Sequence, residues 1–342
     1  MGWKGTVRSL QASARRSERN AHRRQRELVK REKEYAKMEA LEQAAYEVDV
    51  YENHIDILLS MHKECAEPVK WKRLLSNPEP RQPVKNCALE QQATHAATTY
   101  RPNFLARIFK LEARQRVALA DKIDAAKAED ERQYRAQVGE WSAAHADWAE
   151  QRDIAIRILD GDRQAKLDAI EAFESFAEIS HLGSAIQMIV HEGGVLEAKV
   201  AIHGTDVIPS EVKSLLKSGK LSTKAMPIGR FNELHQDYVC SCALRVGREL
   251  LAILPDDLVI VTAMDNVLNS STGHMEDLPI LSVAFSRPTI DGLNLESIDP
   301  SDAMKNFVHN MSFKKGAGFS AVTALDAQRF VVAVEPAQLK IQ

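Results

Sequence analysis

The chain is short of aromatics, of turn residues and of cysteine. Aromatic residues fill 6% of its 342 positions, and 15 glycines with 12 prolines are few for a protein made of tight turns. A chain built only of strands is therefore not expected, and long, alanine-rich, charge-laced helices are. Four cysteines without a repeated spacing do not make a disulfide framework and fit a reducing compartment. No run approaches the roughly 18 consecutive apolar residues that cross a bilayer, so no transmembrane segment is expected. The first residues lead into charge and not into an apolar signal core, which makes the expected location cytoplasmic. What is present is enough apolar residue, 44%, to bury a substantial core, which excludes disorder throughout.

Charge is unevenly spread. Residues 1 to 37 hold twelve Lys or Arg against four acids, a net of +8, which leaves −11 on the remainder. Clustered bases raise the local potential by several kT, so Arg15, Arg16, Arg19, Arg23, Arg24, Arg26, Lys30 and Arg31 are candidates for meeting an anion. That anion could be nucleic acid, a membrane surface or the acidic body of another copy.

From Thr6 to Cys65 neither Pro nor Gly interrupts the chain, and Met38, Leu41, Ala45, Val48, Glu52, Ile55, Leu59 and His62 recur at alternating three- and four-residue spacings. That is the spacing of a coiled-coil seam. Residues 66 to 103 hold five prolines and read as a linker or return arm with a helical turn near Trp71. A second long helix is expected from Phe104 to Leu159, with Tyr134, Trp141 and Trp148 seven residues apart, a packing ladder more than a cofactor box. Gly161 and Asp162 then end that helix and cap a third.

Beyond Gly194 the pattern changes to short strands and helices. Strands are expected at Val195–His203, Leu258–Thr262, Leu278–Phe285, Ala317–Val322 and Phe330–Val334. Helices are expected at Ser210–Ser218, at Phe231–Leu254 as the buried helix, and from Asp299 through Asn310 with Asp299 as N-cap. The fold class is α+β: a long N-terminal coiled-coil arm followed by a C-terminal α+β globular domain. Its parts are 1–65 (basic long helix with heptads), 66–103 (linker or return arm), 104–182 (long and short helices of the arm) and 183–342 (globular domain).

Several constellations invite chemistry. His62 and Cys65, with Cys87 and His95, have zinc-ligand types without zinc-ligand spacing. Ser218–Lys224 suggests a phosphate loop but lacks its upstream glycine. Glu197 and Lys199 form an acid-x-lysine triplet of the kind used by metal-dependent nucleases, with Asp265, Glu276 and Asp277 as further acids. His235, Asp237 and Cys240 lie close along one helix, too far around it for a Cys–His pair. None assigns a catalytic residue, a metal or a cofactor.

The expected function is therefore assembly. The chain reads as a coiled-coil scaffold or adaptor that self-associates through Met38, Leu41, Val48, Ile55, Leu59, Tyr134, Trp141 and Trp148 and presents its C-terminal domain to a protein partner. The alternative is a nucleic-acid-associated protein that binds phosphate backbone through the basic helix. A third reading is a metal-dependent nuclease in the C-terminal domain.

Overall fold

The computed structural model describes residues 40–101, 112–173, 185–202, 205–269 and 271–331. Helices and strands are mixed, as an α+β chain requires. In chain order the helices are α1 (Ala40–Ser60), α2 (Trp71–Leu75), α3 (Ala88–Thr98), α4 (Glu112–Leu159) and α5 (Arg163–Phe173), followed by strands β1 (Ile186–Val190), β2 (Leu196–Ala201), β3 (Glu211–Leu215) and β4 (Leu221–Ala225). Then come α6 (Ile228–Ile253), β5 (Leu258–Leu268), β6 (Met275–Ser286), α7 (Arg287–Gly292), α8 (Pro300–Ala303), β7 (Val308–Lys314) and β8 (Gly318–Ser320). No helix among the described residues is long and apolar enough to cross a membrane.

By contacts the described residues divide into two compact units, one within 72–155 and the other holding those of 40–71 together with those of 156–331. In the first unit, α4 runs for 48 residues, roughly 72 Å. Residues 75–100 return along it. The Trp148 indole donates to the Asn77 carbonyl at 2.9 Å, Trp141 to Pro80 at 3.0 Å and Arg152 to Leu75 at 2.9 Å. Farther along, Lys85 pairs with Glu131 at 2.7 Å, and the Asp130 carboxylate accepts the Glu90 amide at the start of α3. Prolines keep residues 77–86 extended and leave their carbonyls free for these indoles.

The second unit is built around α6. One side of this helix packs on β5 and β6, and the rest is covered by α1, the turn at Met61–Lys63, α5, α8 and β8. The main sheet has the order β1-β2-β5-β6-β7-β8, with β2 and β5 parallel and the other pairs antiparallel. The parallel pair follows from the crossover, since a chain returning to start a neighbouring strand in the same direction needs a long connection such as α6. The C-terminal end of α6 is tied by Arg287, whose guanidinium donates to the carbonyls of Leu251, Leu254 and Asp256 at 2.7–2.8 Å. These groups have no intrahelical partner at a helix end, and a cation there also suits the helix dipole.

A strap of residues 61–71 runs beside α6. His62 bonds Ser241 through Nδ1 at 2.9 Å, the Ala66 amide donates to Glu249, the Val69 amide to Ala252, and the Trp71 indole to Ile253 at 2.7 Å. α1 buries Ala44, Tyr46, Val48 and Leu58 and packs on α6 and on the β3–β4 hairpin. α5 is held to the same body by Lys166, 4% exposed, which pairs with Asp256 at 2.6 Å and donates to the Gly194 carbonyl.

Three local expectations are corrected. Ser210–Ser218 is not helical: Glu211–Leu215 is a strand paired with Leu221–Ala225, because Gly219 at φ 78° closes a hairpin that a helix could not enter. The helix begun at Asp299, whose carboxylate accepts the Ser301 and Asp302 amides, ends by Asn306, and Val308–Lys314 pairs with β6. Ala327–Phe330 is a helical turn and not the start of a strand; it packs beside Val195, Ile260, Ala284 and Leu325.

Candidate functional site

The site begins with a bulge. β5 and β6 shift register between Ala263 and Met264, and such an insertion re-aims the side chains beyond it. Past it, Asp265 and Asn266 on β5 and Asp277 on β6 line a cleft of about 1100 Å³, together with Lys199 on β2, Asp206, and Asn232 and His235 on α6. Leu268 and Met275, paired across the two strands, stand at the outer rim, 61% and 59% exposed. The fourth wall is the β7–β8 turn. Gly318 takes φ 78°, a Cβ there would lie 3.3 Å from Asn232 Oδ1, and Asn232 itself donates to the Lys315 carbonyl at 2.8 Å. This arrangement places Phe319 edge-on against the His235 ring, with centroids 5.5 Å apart.

His235 is 4% exposed, and its Nε2 has no hydrogen-bond partner among the described residues. Asp265 Oδ2 lies 3.9 Å from it, beyond hydrogen-bond length. Burial lowers the imidazole pKa to about 4, so the ring is neutral at pH 7. Asp265 is shifted upward, first by burial and then by Asp277 and Asp206, while the Asn266 amide opposes the shift. Three aspartates against one lysine give the cleft an acidic wall.

The acid-x-lysine triplet is divided. The Glu197 carboxylate is occupied within the body, accepting from Thr262 at 2.7 Å and bonding His191 at 2.8 Å, while Lys199 faces the cleft. Among the described residues no three His, Cys, Asp or Glu side chains come together as a metal-binding group. Among the described residues that line the cleft there is no Ser, Thr or Cys.

Other sequence candidates fall elsewhere. His62 is fully buried, bonded to Ser241 and lowered to about 4 by burial, and Cys65 is pushed up to about 12 by burial, which keeps it a thiol at pH 7. Ser218–Lys224 forms the β3–β4 turn and runs directly into a strand, where a phosphate loop needs a helix to begin. Cys240 and Cys242 are buried thiols beside Met311 and Met61. Of the seam positions, Leu41 is 54% exposed, Val48 is buried, Ile55 and Leu59 are half-buried, and Tyr134, Trp141 and Trp148 are half-buried on α4. Met38 and the eight basic positions from Arg15 to Arg31 lie outside the described residues.

The pairing of His235 with Asp265 is what sequence reading missed. In the sequence His235 stands with Asp237 and Cys240 on one helix and Asp265 with the acids after Glu197 and Lys199, but 30 residues and a bulge separate the two, and no spacing announces their approach. A comparison with protein-family models, one with curated proteins and one with solved structures each return no match.

Proposed function

We propose that the chain is a self-associating adaptor whose α+β body recognises a protein partner in the cleft beside His235. The observation that carries this reading is the cleft's make-up: an acidic wall of Asp206, Asp265 and Asp277 beside an exposed apolar rim at Leu268 and Met275. Exposed apolar residues beside polar ones are the usual dress of a protein interface. The coiled-coil arm belongs to the same proposal. Since Trp141 and Trp148 already donate to carbonyls of their own chain, a seam between copies draws on positions such as Leu41 and Val117, exposed by 54% and 60%.

The nucleic-acid reading rests on the +8 of the first 37 residues. The acidic cleft opposes phosphate, so that reading belongs to the N-terminal segment alone. Light scattering after size exclusion, at about 50 and about 500 mM salt with absorbance at 260 nm, separates the two. A multimer free of nucleic acid at both salts supports the adaptor. A monomer that carries nucleic acid at low salt and sheds it at high salt overturns it in favour of the basic segment.

A further inference from the structure

Two indoles on α4 are spaced to read an extended chain. Trp148 donates to the Asn77 carbonyl and Trp141 to the Pro80 carbonyl. Seven residues of helix rise about 10.5 Å and three residues of polyproline chain about 9.3 Å, so every two turns of α4 meet one turn of the segment. The match holds from end to end. Arg152 donates to Leu75 and Glu131 pairs with Lys85, and these two contacts lie about 31 Å apart whether counted along the helix or along the segment. Tyr134, one further step of seven, stands level with Pro83. Within residues 76–86 Pro80 and Pro83 are half-buried, one polyproline turn apart, and the other described residues are exposed. His145 fills the step between the indoles, its ring centroid 5.3 Å from that of Trp141 and 5.6 Å from that of Trp148. Aromatic rings along an open face are the equipment that holds proline-rich segments.

We propose that this face of α4 is a docking groove for extended, proline-rich peptides, that residues 75–85 occupy it as a built-in ligand, and that a proline-rich segment of a protein partner displaces them. The groove lies on the other unit from the cleft and makes no use of it. What α4 grips is what any such segment carries, two backbone carbonyls one turn apart and the proline rings beside them. Proline sets that shape in advance, and its missing N–H asks for no acceptor on the helix. The contacts that depend on this segment's own charged side chains, Glu79 with His145 and Lys85 with Glu131, are exposed pairs of the kind that contribute little. No described residue of 76–86 is buried, so lifting the segment uncovers little apolar surface and stands at the low-cost end of local opening. The same segment of a second copy is the weaker candidate. It is already tethered beside its own α4, so exchange breaks one such contact for each that it makes, whereas a partner's free segment has no such competitor.

The test uses the full chain and a fluorescent peptide of the chain's own residues 77–85, followed by anisotropy, with the same peptide carrying alanine for its prolines as control. Pro78→Gly/Pro80→Gly/Pro83→Gly loosens the tethered segment and leaves α4 unchanged. Arg152→Ala is a milder opening, since the peptide stops short of the Leu75 carbonyl that Arg152 holds. Circular dichroism checks that each variant keeps its helix, and Arg152→Ala decides the matter if the glycine variant does not fold. The parent should bind the peptide weakly, because the tethered segment competes at high effective concentration. The glycine variant should bind it about ten-fold tighter or more and Arg152→Ala by a smaller factor, as the competitor is removed. Adding Trp141→Phe/Trp148→Phe to either should reverse the gain. A folded opened variant that binds no tighter than the parent overturns the proposal, as does equal binding of the alanine peptide or binding unchanged by loss of the indoles. A dimer of the parent that the peptide dissociates overturns it in favour of a second copy's segment. Failure of the groove leaves the cleft reading standing, since none of these variants touches a cleft residue.

Discussion

Gly247 lies in the middle of α6, where helix propensity alone says that alanine should improve the chain by about 1 kcal/mol. The packing says the reverse. A Cβ on Gly247 would overlap Phe285 Cδ2 and lie 2.9 Å from Cε2 and Cγ, well inside the roughly 3.5–4.0 Å at which carbon atoms rest against each other. The ring has little room to retreat, because Phe285 is fully buried on β6 and meets Phe307 edge-on at 4.8 Å. Overpacking of this kind costs about 1–3 kcal/mol or more, which exceeds the gain from propensity and moves α6 off the sheet if the ring cannot turn. With the ring unable to retreat the cost lies toward the upper end of that range, so Gly247→Ala should destabilise by up to about 2 kcal/mol net, a shift of a few degrees in melting temperature. Urea unfolding followed by circular dichroism measures it, with hydrogen exchange of the α6 amides locating the loss. Phe285→Leu alone should destabilise through the cavity it leaves, but in the Gly247→Ala background it should cost less, the coupling expected of two groups competing for one space. A Gly247→Ala protein as stable as the parent, or a double variant whose losses simply add, would refute the close approach of helix and sheet.

The remaining predictions concern the strap, the return arm and titration. Trp71→Ala removes a 3% exposed indole that donates to Ile253 and should cost about 3–5 kcal/mol in urea unfolding. Lys166→Met leaves the Asp256 carboxylate without its ammonium in a largely buried place and should cost about 3–5 kcal/mol, with Lys166→Met/Asp256→Asn recovering part of the loss. Trp148→Phe keeps the ring and loses the bond to Asn77, so limited proteolysis within residues 76–86 should quicken while the α+β body stays resistant. With His62 and His235 lowered to about 4, the unfolded chain takes up protons between about pH 6.5 and 4 that the folded chain refuses. Their contribution to stability is thus full above that window and lost as pH falls through it, and His62→Gln should flatten the slope of urea midpoint against pH. Asp237, raised from 3.8 to about 6 chiefly by burial, acts oppositely: its contribution is greatest at low pH and lost as pH rises through 6. Asp237→Asn should therefore be more stable than the parent at pH 7.5, by at most about 3 kcal/mol, and the difference should shrink at pH 5.

The elements with a strong local signal were readable from sequence. Asp162 and Asp299 bond the amides of the turns they begin, as short acceptors before a helical pattern should. The apolar run from Phe231 to Leu254 becomes the buried helix because every face of it meets another element. Where the readings differ, tertiary pairing wins over local preference. Ser210–Ser218 has residues a helix would accept, yet the glycine at 219 and the complementary Leu221–Ala225 make a hairpin that lies under α1. The same holds for α1. Its spacing is that of a seam, but the described part turns Ala44, Tyr46, Val48 and Leu58 inward onto the α+β body, so a heptad stripe reports a buried face without saying which chain buries it.

The candidate site was far less readable, for a physical reason that periodicity cannot overcome. Periodic patterns report which face of one element is buried; a site reports where the ends of several elements meet. His235 reaches the cleft because α6 begins beside it, Asp265 because a bulge turns it there, Asp277 because β6 returns one hairpin later, and Phe319 because Gly318 bends the last turn inward. Each cause is local and small, and their meeting is not written at any one spacing. What the sequence did carry was the imbalance of charge, −11 on the residues after position 37. Part of that excess is concentrated in the cleft, where Asp206, Asp265 and Asp277 stand against Lys199 beside a buried, neutral histidine, and an acidic field of that kind draws positive groups toward the surface that holds it.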